Sequence, residues 1–107
     1  LGFITYEWQT PNYVFVGSKE MQEQCGELVR RKGLMAEFVA CGKNELTATF
    51  LEKITDSKKL QIVVFDVSEF DYEQILEVFA VAPSPLRKIG FYHQDSGMLI
   101  TDAEVIK

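Results

Sequence analysis

Four places in this 107-residue chain carry side chains that could do chemistry: Asp66, the pair Gly17-Ser18, Cys41 and His93. Asp66 follows the apolar run Ile62-Val63-Val64-Phe65. An unbroken apolar run of this kind is a strand buried on both faces, as in helix-covered parallel sheets. Ligands of such sheets gather beyond the carboxyl ends of the strands, where Asp66 stands. Asp66 is therefore a candidate ligand-facing carboxylate, or alternatively the cap or turn residue that aspartate often supplies. Gly17-Ser18 stands before a predicted helix, where free N–H groups could hold an anion with Lys19 and Lys43 as countercharges. The pair lacks the additional glycines of a phosphate loop, and a simple N-cap is the competing reading. Cys41 and His93 both fall at predicted strand ends, so a thiol nucleophile with an imidazole base is an alternative. Cys25 reads as a small buried hydrophobe. Asp66, Glu69, Asp71 and Glu73 form an acidic rim that could draw a cation or basic partner, or simply favour a helix start.

These residues need a scaffold of alternating strands and helices. Gly2 to Gln9 puts Ile4, Tyr6 and Trp8 on one side by period two, an N-terminal edge strand that Pro11 ends. Phe3, Tyr6, Trp8 and Tyr13 form an aromatic edge and a candidate interface with another chain. They could equally close the core beneath the last hairpin. Tyr13–Val16 is a second strand. A helix over 19–32 follows, capped by Ser18 and stopped by Gly33, with Met21, Cys25, Leu28 and Val29 on one stripe. Met35–Cys41 is the next strand. Asn44 is expected to cap a helix reaching Lys58, with Leu46, Phe50, Leu51 and Ile54 inward. After the strand Leu60–Asp66, Ser68 and Asp71 resemble a capping box. The helix they open should run to Ala82, with Tyr72, Ile75, Leu76 and Phe79 inward, before Pro83-Ser84-Pro85 ends it. A strand Leu86–His93, a turn Gln94-Asp95-Ser96-Gly97 and a returning strand Met98–Thr101 complete the chain.

Strands alternating with helices predict one three-layer α/β domain over 1–107, of flavodoxin-like type. Its sheet should be mainly parallel, with an antiparallel C-terminal hairpin. The formal net charge of −5 argues against nucleic acid as the main partner, although Arg30, Arg31 and Lys32 cluster. Two cysteines and one histidine do not supply the usual ligand set of a structural zinc site, and no cofactor motif is present. The cysteine spacing does not suggest a disulfide framework, which points to a reducing, cytoplasmic setting. No apolar run approaches the roughly 20 residues of a membrane span. The absence of an initiator Met is expected of a domain excised from a larger protein.

Strand Tyr13–Val16, strand Met35–Ala40 and strand Gln61–Phe65 ending in Asp66 resemble the receiver domain of bacterial two-component response regulators. The resemblance covers Tyr13 to about Gln94 and implies that Asp66 matches the phosphoacceptor. The acidic pair that holds magnesium in receivers is replaced by Gly17 and Ser18. No lysine fits the end of the fifth strand, and the last crossover helix gives way to a tight turn. The chain thus resembles an atypical or pseudo-receiver. This implies a non-catalytic regulatory or protein-interaction domain that docks a partner or forms a homodimer. Sugar phosphotransferase IIB domains share the topology, but their cysteine follows the first strand, where this chain has Gly17-Ser18.

Overall fold

The computed structural model describes residues 12–54, 61–81 and 87–101. Five strands form one sheet: β1 (Asn12–Gly17), β2 (Met35–Ala40), β3 (Gln61–Asp66), β4 (Arg87–His93) and β5 (Met98–Thr101). Their order is β2-β1-β3-β4-β5. β1 pairs in parallel with both β2 and β3, β3 pairs in parallel with β4, and β5 returns antiparallel to β4. The helices are α1 (Lys19–Lys32), α2 (Ala48–Ile54) and α3 (Tyr72–Val81). This is a three-layer, flavodoxin-like α/β fold.

The two faces of the sheet bury different clusters. Phe15, Ile62, Val64 and Tyr92 meet Met21 and Cys25 of α1. Val14, Val16, Val63, Phe65, Ile89 and Phe91 meet Leu51 of α2 and Ile75 and Val78 of α3. Every residue of β3 is buried: Ile62–Phe65 as an uninterrupted apolar run requires of a central strand, and with them the polar ends Gln61 and Asp66. β3 therefore delivers Asp66 to the carboxyl edge of the sheet as a fixed point.

α1 has the expected limits. Ser18 Oγ accepts from Met21 N–H, and Gly33 closes the helix in the left-handed region at φ 66°. The other helices begin later than their sequences suggest. Asn44 lies in a 3₁₀ turn, Lys43–Glu45, and Thr47 is the cap of α2: its Oγ1 accepts from Phe50 N–H at 3.1 Å. Thr47 competes better because the chain must first descend to bury Leu46 in the core. Likewise, α3 starts at Tyr72, and the Ser68–Asp71 capping box does not form. Asp66 takes over this segment: its backbone carbonyl accepts from Glu69 and Phe70, and its side chain accepts from Ser68 N–H. The resulting turn buries Phe70, and α3 turns Ile75 and, in part, Phe79 inward as expected, together with Val78. Tyr72 and Leu76, expected inward, are instead 48% and 46% exposed.

The expected N-terminal edge strand, including Phe3, Tyr6 and Trp8, lies outside the described residues, as does the end expected for the second helix at Lys58.

Candidate functional site

Three connections meet at the carboxyl edge of the sheet: Gly17-Ser18, where β1 ends, Val67 to Asp71 after β3, and the turn that starts at Gln94 after β4. Backbone hydrogen bonds carry the sheet's order a step beyond the strands. Cys41 N–H donates to Gly17 O, and Val67 N–H donates to Tyr92 O. The loops are therefore placed before any side chain contributes.

Asp66 joins all three. Its side chain is fully buried. Oδ2 accepts from Ser18 Oγ at 2.9 Å, from Gln94 Nε2 at 2.8 Å and from Ser18 N–H at 3.3 Å. Oδ1 accepts from Ser68 N–H at 3.0 Å. Gln94 Nε2 also reaches Ser18 Oγ at 3.1 Å. Every one of these donors is neutral. A buried carboxylate without a cation is costly unless its lone pairs are satisfied. Here the amino end of α1 supplies the remaining compensation, because its free N–H groups and dipole favour negative charge. Asp66 is thus the anion that the helix end holds.

Gly17 makes the approach possible. A Cβ at this position would fall 2.4 Å from Asp66 Cβ, well inside contact distance. Glycine is needed here for backbone proximity, and nothing in its local sequence distinguishes this from an ordinary turn glycine. Gln94 is the residue that sequence reasoning missed. Its signal is absent from local pattern, since it meets Asp66 across 28 positions of chain.

The charge of Asp66 is felt by its neighbours. Cys25, buried beneath the site, is pushed up to about 12, first by burial and then by the Asp66 carboxylate. Tyr92 is raised as well, by burial and by Cys25 and Asp66. Its hydroxyl donates to Gln24 Oε1 at 2.7 Å.

Beside this cluster lies an open depression of about 440 Å³, lined by Gly17, Ser18, Lys19, Cys41, Glu45 and Glu69. Its two carboxylates are engaged by backbone: Glu45 Oε1 accepts from Gly42 N–H at 2.7 Å, and Glu69 Oε2 from Lys43 N–H at 3.2 Å. They also push Cys41 up, after burial, to about 11. Cys41 is consequently a neutral thiol at physiological pH, with its Sγ 3.5 Å from Gly42 O. Lys43, expected as an anion's countercharge, pairs with Asp71 at 3.7 Å.

The structure does not bring Cys41 and His93 together. Cys41 follows β2 and His93 ends β4, and these strands stand three strand spacings apart, about 14 Å. The His93 ring instead lies 3.2 Å from the Tyr72 hydroxyl. The acidic rim is also divided: Asp66 is buried, Glu69 and Asp71 serve the Lys43 turn, and Glu73 is exposed on α3. Among the described residues no group of three or more His, Cys, Asp or Glu side chains could hold a metal ion. No described helix is long and apolar enough to cross a membrane. Tyr13, the described member of the aromatic edge, is half-buried and stacks on Phe15 with ring centres 6.1 Å apart.

No family model, curated protein or solved structure matches the chain.

Proposed function

We propose that this chain is a non-catalytic interaction domain, a pseudo-receiver in which the position of the phosphoacceptor has become structural. One observation carries this reading: Asp66 is fully buried and both its oxygens accept hydrogen bonds from the protein. Phosphoryl transfer to a carboxylate needs an exposed oxygen and cations that offset the charge developing on the phosphoryl group. The donors around Asp66 are instead neutral and draw the loops inward. With that chemistry absent, the domain is left with its surface as the means of acting, through a protein partner. Free, buried Cys25 and Cys41 suit a reducing compartment such as the cytoplasm.

Incubation with acetyl phosphate and magnesium, followed by intact mass measurement, tests the reading. The expected mass is unchanged. A stable phosphoryl adduct lost in Asp66→Asn would identify a working receiver and overturn it.

A further inference from the structure

The strand order implies where a helix is missing. Right-handed crossovers place α1 on one face of the sheet for the step from β1 to β2. The steps from β2 to β3 and from β3 to β4 run the opposite way, so α2 and α3 lie on the other face. A parallel step from β4 to β5 would have put a further helix beside α3. The antiparallel β4–β5 hairpin dispenses with it, because antiparallel neighbours need only a tight turn.

The place beside α3 carries apolar side chains. Tyr72 packs against Phe91, with ring centres 5.1 Å apart, and lies beside His93. Phe91 pairs with Ile100 and His93 with Met98, so both β5 residues share the face on which Tyr72 sits. Met98 is 53% exposed, and Ile100 is half-buried. Leu76, one helical turn beyond Tyr72, shares its flank of α3 and is 46% exposed. Among the described residues no helix covers this shelf. α3 flanks it with the exposed Glu73 and Glu77 and has no basic residue in its last turn.

We infer that the shelf between α3 and β5 receives an amphipathic helix of a partner protein, whose basic flank meets Glu73 and Glu77 and which stands where the omitted crossover helix would lie. The inference rests on the reading of the chain as an interaction domain and names the chemistry of its partner. An apolar stripe on the incoming helix would cover Tyr72, Leu76 and Met98, while lysine or arginine beside that stripe would match the glutamates.

A fluorescently labelled amphipathic Leu/Lys helical peptide, with a Leu/Glu peptide of equal length as its counterpart, tests this by anisotropy titration of the full chain. The Leu/Lys peptide should bind, and bind at least about tenfold more tightly than the Leu/Glu peptide. Leu76→Asp and Met98→Glu should each weaken binding about tenfold. Both positions are exposed, so the thermal midpoint should hold and show that the variants fold. The double variant Glu73→Lys, Glu77→Lys should reverse the peptide preference, a readout that loss of structure cannot produce. Absence of binding, equal binding of the two peptides, or binding indifferent to these variants would overturn the inference. So would self-association of the chain that Leu76→Asp abolishes, which would assign the shelf to a second copy. A phosphoryl adduct at Asp66 would refute the interaction-domain reading by a measurement separate from the peptide titration.

Discussion

At the scale of the residue, Asp66 holds a charge in the interior without a cation, and its surroundings account for that. Ser18, Ser68 and Gln94 donate to it, and the amino end of α1 faces it. A hydrogen bond to a charged acceptor contributes about 1.5–3 kcal/mol, so Gln94→Ala should lower unfolding free energy by about that much in a urea titration. Asp66→Asn keeps the size but turns one acceptor into a donor among donors, and a loss of about 1–3 kcal/mol is expected. If both variants were as stable as the parent, Asp66 would not be a structural clasp. The two thiols give a second test at this scale. Cys25 and Cys41 both titrate above their ordinary value of 9.0 in the folded chain. The folded state then holds protons that the unfolded state has released, so stability falls as pH rises. Their contribution is complete below about pH 9 and is lost progressively between 9 and about 12. Urea midpoints should decline across that window, and the decline should be shallower in Cys25→Ala, Cys41→Ala. Equal slopes would show that neither thiol is shifted.

At the scale of the element, the helix starts record which local signals win. Thr47→Ala should remove the α2 cap and cost about 1 kcal/mol, whereas Asn44→Ala should be nearly neutral. The reverse result would restore the cap to Asn44. β1 and β3 were legible because the apolar runs Tyr13–Val16 and Ile62–Phe65 are continuous, and β2 lies where Met35–Cys41 suggests although Glu37 interrupts it. α1 was legible because its cap, stripe and glycine stop agree with one another. α2 and α3 were less so. Ser68 and Asp71 have the spacing of a capping box, but the Asp66 carbonyl and carboxylate bind the same backbone first. This tertiary choice delays α3 and turns Tyr72 and Leu76 outward. Of the site, Asp66 and Gly17-Ser18 were visible as strand-end residues. Their mutual contact was not, because it spans 48 positions and depends on β1 and β3 being neighbours.

At the scale of the whole molecule, the sheet order places β3 between β1 and β4, and hence Asp66 between the loops of both neighbours. One face is covered by α1, the other by α2 and α3, and the hairpin ends the parallel run without a further crossover. The domain thus pairs a carboxyl edge clasped by Asp66 with a shelf toward β5 that no described helix covers. The clasp also bears on how the chain is made. Ser18 and Asp66 emerge from the ribosome well before Gln94, the donor that completes the set around Oδ2. A nascent chain that ends short of Gln94 carries the carboxylate with one of its two side-chain donors still missing. Closure of the folding unit accordingly waits for the last hairpin, so translation must pass β4 before the earlier strands gain their full hold on one another.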